Sequence, residues 1–132
     1  MIKQLRIKTN ARTELIDITQ GIVEIITESN LRSGACHLFV PHTTAAITIN
    51  ENADPNVIRD ILKGLNKAIP FDDSYSHYEG NSAAHIKSSI IGVSLLLMVE
   101  DGRPALGTWQ AVFFCEFDGP RERRILIKIM KD

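Results

Sequence analysis

Ile2, Leu5 and Ile7, then Leu15, Ile16 and Ile18, fall among polar neighbours at the short spacings of two strands. From about Thr19, Ile22, Val23, Ile25 and Ile26 take helical spacing, and Asn30 and Gly34 close the segment. Ala35 to Val40 and Ala45 to Asn50 read as strands separated by a bend at Pro41, because proline cannot donate to a sheet ladder. In the second of these, Ile47 and Ile49 face one way and Thr44, Thr48 and Asn50 the other, which predicts a row of hydrogen-bonding groups on one sheet face. Asp54-Pro55 is a helix start: the aspartate can cap orphan amides, and proline at the first helical position sacrifices no bond. Val57, Ile58, Ile61, Leu62 and Leu65 then follow at helical spacing up to Pro70.

The dozen residues after Pro70 predict an irregular loop, followed by a short helix over His85 to Ile91. Val93 to Val99 is an apolar strand, Asp101-Gly102 a hairpin turn, and Trp109 to Phe117 a second apolar strand that ends at the Asp118-Gly119 turn. Arg123 to Met130 closes the chain as a strand with Ile125, Ile127 and Ile129 on one face. Strands joined by tight turns pair antiparallel, so the pattern predicts an α+β fold, a single-domain antiparallel β-sandwich with peripheral helices over residues 1–132.

Composition narrows the function classes. The chain is 44% hydrophobic and 23% charged with a net charge of -1, which describes an ordinary folded domain and gives no basic face for nucleic acid. The densest basic stretch, Arg121-Glu122-Arg123-Arg124, is interrupted by a glutamate and carries no interleaved aromatics. No apolar run is long enough for a membrane span and the N-terminus lacks a signal-peptide pattern, so the expected compartment is the cytoplasm. Cys36 and Cys115 lie in separate apolar runs and read as buried free thiols.

Chemistry concentrates in three polar clusters. Pro41-His42-Thr43-Thr44 runs on to Asn50-Glu51; His77-Tyr78-Glu79-Gly80-Asn81-Ser82 is followed by His85; Gly107-Thr108-Trp109-Gln110 leads to Glu116, Asp118, Gly119, Pro120 and Arg121. They supply neutral bases, carboxylates, hydroxyls, amides and an arginine, the components of a phosphate or metal site. Arg121 suits bidentate phosphate contact, and Thr43, Thr44, Asn81 and Ser82 can donate to phosphate oxygens. His37, inside a strand, reads as a satisfied sheet histidine, and Trp109 as core or interface. His77 and His85 are eight residues apart, which is not the spacing of a helical zinc pair.

Taken in order, the three motifs resemble the YjbQ family, whose members are described as secondary thiamine-phosphate synthases. The resemblance runs from the Ala35 strand to the C-terminus, with Ile47 standing where the family often has leucine. It implies an α+β sandwich assembled as a homotrimer, with its polar motifs near subunit boundaries. It also implies a reaction in which the ring nitrogen of a thiazole phosphate attacks the methylene of a pyrimidine diphosphate and pyrophosphate leaves. Under that expectation Glu51, His77 and Arg121 are the catalytic candidates. Thr43, Thr44, Asn50, Asn81, Ser82, Gln110 and Arg121 are the substrate-binding ones, and His42, His77, His85 and Glu79 would hold a divalent metal. Carboxylates would favour magnesium, whereas three histidines and a glutamate favour zinc. The alternative is a trimeric protein that binds a metal or a phosphorylated ligand without synthase activity.

Overall fold

The computed structural model describes all 132 residues, with element order β1 (Ile2–Lys8), β2 (Glu14–Asp17), α1 (Thr19–Glu28), β3 (Gly34–Phe39), β4 (Ala45–Glu51), α2 (Pro55–Ala68), α3 (Ser82–Ile91), β5 (Ser94–Glu100), β6 (Arg103–Pro104), β7 (Gln110–Glu116) and β8 (Glu122–Lys131). Two antiparallel sheets form, a five-stranded one in the order β1-β8-β3-β5-β6 and a three-stranded one in the order β2-β7-β4. This is the expected α+β sandwich. Its strands meet through turns the sequence marks: Asp101 and Gly102 both take positive φ, 51° and 74°, at the hairpin between β5 and β6.

The core lies between the sheets. Cys36, Leu38, Leu97, Val99, Ile125 and Ile127 point inward from the larger sheet to meet Ala45, Ile47, Val112 and Phe114 of the smaller. Helix α1 completes this core, with Ile22 and Ile26 fully buried, and touches β1, β6 and β7. Helices α2 and α3 cover the outside of the three-stranded sheet, where Ala46, Ala84, Cys115 and Phe117 form a second small cluster with Leu15, Leu65 and Ile91 against it. Asp54 accepts from the Asn56 amide and starts α2, as its sequence predicts. Helix α3 begins three residues earlier than the apolar pattern suggests, so Ser82 is helical and Asn81 stands at its N-terminus.

One consequence of alanine at position 46 bears directly on the site. The predicted row of polar groups on β4 includes this residue, and Ala46 is the seat of α3: both Ala46 and Ala84 are fully buried. Small side chains let the helix approach the sheet, and the helix divides the polar row into two ends. Thr44 lies at one end and Asn50 and Glu51 at the other, roughly 20 Å apart at the usual rise of a strand.

Both cysteines are buried free thiols. Burial pushes the Cys115 thiol up to about 12. The outer face of the five-stranded sheet carries exposed apolar side chains. No helix covers it, and Leu96, Met98, Phe39 and Met130 stand exposed there, Leu96 at 62% and Met98 at 66%. No helix of the chain is long and apolar enough to cross a membrane.

Candidate functional site

At the Thr44 end of β4 an open pocket of about 1350 Å³ is lined by residues of four segments. The β3–β4 connection supplies His42, Thr43 and Thr44; the loop after Pro70 supplies His77 and Glu79; the start of α3 supplies Asn81, Ser82 and His85; and the segment after β7 supplies Asp118, Arg121 and Arg123. Nine of the sequence candidates therefore meet here: His42, Thr43, Thr44, His77, Glu79, Asn81, Ser82, His85 and Arg121. Asn50, Glu51 and Gln110 do not line it. Those three share a separate polar region at the far end of the β4–β7 pair, where Glu51 stands opposite Gln110 and the Asn52 amide donates to the Trp109 carbonyl.

Beneath the pocket lies a buried ion pair whose members the sequence reading names separately, Glu116 in the third cluster and Arg123 in the basic stretch, without pairing them. Arg123 donates from Nε to Glu116 Oε1 at 2.9 Å and from Nη2 to Oε2 at 2.5 Å, with both side chains almost wholly buried. The remaining reach of Nη2 goes to Thr44, at 2.8 Å to the hydroxyl and 3.3 Å to the carbonyl. Glu116 also accepts from the Thr9 hydroxyl at 2.8 Å and the Asp118 amide at 3.0 Å. Burial alone would raise the Glu116 carboxyl, but the bonds from Arg123, Asp118 and Thr9 together hold it below the ordinary carboxylate value. The signal was available: β7 points a charged residue from an otherwise apolar run into the interior, and a lone buried charge needs a partner.

The Glu116 cluster reaches the second arginine through the turn. Thr9 Oγ1 accepts from the Arg121 amide at 2.7 Å, and Arg121 in turn donates from Nε to the Asp118 carbonyl and from Nη2 to its carboxylate. Asn81 Nδ2 donates to the same Asp118 carboxylate at 2.9 Å, tying the start of α3 to the arginine. Gly119 permits this packing, since a Cβ there would lie 2.4 Å from the Ala11 carbonyl and 2.7 Å from Glu116. Each arginine thus has a carboxylate partner, and a ligand meets pre-oriented guanidinium donors rather than bare cations.

The histidines divide. His77 and His85 are neighbours, with ring centres 5.5 Å apart in an edge-to-face arrangement, and His77 Nε2 lies 3.9 Å from Glu79. His42 stands on the other wall, where its Nε2 accepts from the Arg124 amide at 3.1 Å. Burial and then the positive charge of Arg123 hold His42 below the ordinary histidine value. As the side chains stand, no three of histidine, cysteine, aspartate and glutamate gather closely enough to hold a metal ion.

The loop carrying His77 and Glu79 is pinned at its base. Phe71 packs under the Arg12 guanidinium at 3.4 Å and the Lys87 ammonium at 4.6 Å, and Tyr75 donates to the Pro70 carbonyl. Lys87 is fully buried and also donates to Asn66 of α2. Burial, and then the charge of Arg12, lower its affinity for the proton.

Comparison with known proteins agrees with this architecture. The profile of the UPF0047 protein YjbQ-like family matches residues 3–132. The chain belongs to that family. It is 53% identical to a UPF0047 protein of Methanocaldococcus jannaschii over all of this chain and 96% of the other, and 51% identical to YugU of Bacillus subtilis over 98% and 99%. Among solved structures it is similar to a YjbQ/UPF0047 protein of Clostridium acetobutylicum, with a TM-score of 0.94 at 48% identity over 97% of this chain and 99% of that one. A hypothetical protein of Aeropyrum pernix superposes with a TM-score of 0.95 at 33% identity over 100% and 99%.

Proposed function

We propose that the pocket binds phosphorylated small molecules and that the chain is a secondary thiamine-phosphate synthase-like transferase. The observation that carries this reading is the convergence of two guanidinium groups, the Thr43 and Thr44 hydroxyls and the N-terminus of α3 on one pocket of about 1350 Å³. That volume exceeds the usual range for a single small ligand and suits two substrates side by side. Helix amides and arginine forks both favour phosphate oxygens.

In the proposed reaction a thiazole ring nitrogen attacks the methylene carbon of the pyrimidine diphosphate as the carbon–oxygen bond to the diphosphate breaks. The electron pair leaves with pyrophosphate. No protein nucleophile is required, so the contribution of the chain is to orient the two rings and stabilise charge growing on the leaving group. Arg121, half exposed at the mouth, is suited to that charge, while Arg123 below is held rigid by Glu116. A divalent metal would further neutralise the diphosphate. His77, His85 and Glu79 are its nearest donors, a set that suits zinc better than magnesium, and they close on an ion only if exposed side chains turn. Asn50, Glu51 and Gln110 serve this pocket only if a neighbouring copy brings them to it.

That possibility joins with the uncovered sheet face. Exposed Leu96, Met98, Phe39 and Met130 form an apolar surface of the kind monomers rarely leave in water, and we take its occupants to be further copies of this chain in a homotrimer. The alternative, a metal- or phosphate-binding trimer without turnover, draws its support from the His77–His85 pair. An assay of thiamine phosphate formation from the two phosphorylated precursors, with magnesium and zinc added in turn, separates the two. Turnover supports the transferase; its absence under every metal condition leaves the binding protein.

A further inference from the structure

Strand β3 pairs with β8 from Gly34 opposite Lys131 to Phe39 opposite Leu126, and Pro41 then takes the chain out of the sheet. The next β8 amide on that side belongs to Arg124, which pairs with Arg6 of β1 but has no partner in β3. The imidazole of His42 replaces it: the Arg124 N–H donates to Nε2 at 3.1 Å. A backbone amide can only donate, so Nε2 must present its lone pair. A neutral imidazole carries one proton, which therefore resides on Nδ1.

The same contact restricts what His42 can offer the pocket. Its one lone pair is committed to the backbone, and metal binding needs a free lone pair. Protonating Nε2 would set one N–H against another. What remains is Nδ1–H, which no protein group accepts, on a ring that lines the pocket with Thr43, Thr44 and Arg123. The buried position and the nearby guanidinium act in the same direction, because both oppose a second positive charge.

We propose that His42 is a neutral donor whose Nδ1–H bonds an acceptor oxygen of the bound phosphorylated ligand, and that it is not a metal ligand. This rests on the reading of the pocket as a phosphorylated-ligand site. His42 thereby separates from His77 and His85: one wall provides a fixed uncharged donor, and the other a pair of adjacent rings.

The test uses the full-length protein, nitrogen-15 NMR of the histidine rings, and inorganic pyrophosphate and zinc as probes. Wild type is expected to show His42 as the Nδ1–H tautomer, unchanged by zinc. His42→Gln keeps an acceptor near the Arg124 amide but has no donor at the Nδ1 position, its NH2 lying one carbon further out, and should weaken pyrophosphate binding about tenfold, the scale of one hydrogen bond to a charged group. His42→Asn keeps a donor near Nδ1 and should bind more tightly than the glutamine variant. An Nε2–H tautomer, zinc-induced shifts at the His42 ring, or equal affinity of His42→Gln and wild type each overturns the donor role alone. Failure of wild type to bind pyrophosphate overturns the pocket reading and the donor role with it. The ring spectra of wild type decide the tautomer even if a variant does not fold.

Discussion

Glu116 at the end of β7 and Arg123 near the start of β8 form a two-point ion pair, 2.9 Å and 2.5 Å, in which Glu116 is wholly buried and Arg123 almost so. The pair is the floor of the pocket and also its frame. Through Arg123 it fixes Thr44, and through Thr9 and the Asp118 amide it fixes the turn that carries Arg121.

Removing one partner leaves the other charge buried and alone. Glu116→Gln should therefore lower stability by roughly 3–5 kcal/mol, measured by urea denaturation. Replacing both residues by apolar groups of similar volume should cost much less. A double variant as unstable as the single one would show that the packing of this region, not its charge, is what matters.

The same carboxylate sets a pH dependence. Because its folded-state affinity for the proton is depressed, the unfolded chain binds that proton more readily, and stability from Glu116 is complete above the ordinary carboxylate value of 4.5. It is lost as pH falls from there through the folded value. His42, also depressed, adds an earlier loss that begins as pH falls below the ordinary 6.5. Denaturation midpoints measured from pH 8 to 3 should fall in both ranges for wild type, and the lower step should be smaller in Glu116→Gln.

Much of this fold is legible in the sequence because local rules agree with tertiary ones. Asp54-Pro55 and Asp101-Gly102 have backbone requirements that few other residues meet, and the strand alternation survives into two sheets. The site was only partly legible. Reading Thr44, Thr48 and Asn50 as a continuous polar row overlooked Ala46, whose small side chain admits α3 and separates the two ends. The Glu116–Arg123 pair was half legible: a charge ending the apolar β7 run asks for a partner, but which residue answers depends on the turn that brings the two strands together.

The position of α3 is the next point of leverage. Ala46 and Ala84 are both fully buried, so Ala84→Leu should overpack the contact and cost roughly 1–3 kcal/mol. Because Ser82 and His85 ride on the same helix, pyrophosphate affinity should fall as well. Unchanged melting and binding would show that the helix can move away from the sheet without consequence.

At the mouth, Arg121 spends Nε and Nη2 on Asp118, which fixes the plane of its guanidinium over the pocket. Lysine has no fork with which to reproduce that arrangement. Arg121→Lys should slow thiamine phosphate formation by on the order of a hundredfold, the effect of losing one preorganised charge-stabilising donor. A variant that turns over at the wild-type rate would remove Arg121 from the leaving-group role while leaving the enzyme reading in place.

The adjacent rings of His77 and His85 are the nearest imidazole pair for a metal. Imidazole ligates through a nitrogen lone pair, whereas an anion is held by the arginine and hydroxyl donors on the other side of the pocket. Titration calorimetry with zinc and with pyrophosphate at one pH should show zinc binding lost and most of the pyrophosphate affinity kept in His77→Ala. Unchanged zinc stoichiometry in His77→Ala would exclude the pair as a metal site.

The exposed sheet face is the surface on which copies of this chain would meet. Leu96 and Met98 project from β5 beside Phe39 and Met130, on a surface that no helix covers. If copies of this chain meet there, two charges placed on β5 must be desolvated at every contact, and burying an unpaired carboxylate is strongly unfavourable. Met98→Glu with Leu96→Asp should convert a trimer to a monomer at micromolar concentration, read by light scattering. The fold should persist, because both side chains already face away from the core. Activity then reports on Asn50, Glu51 and Gln110. If a neighbouring copy supplies them to the pocket, the monomer loses turnover and retains part of its pyrophosphate affinity. A wild-type protein that is monomeric at this concentration would remove the trimer, and with it any role for those three residues in this pocket.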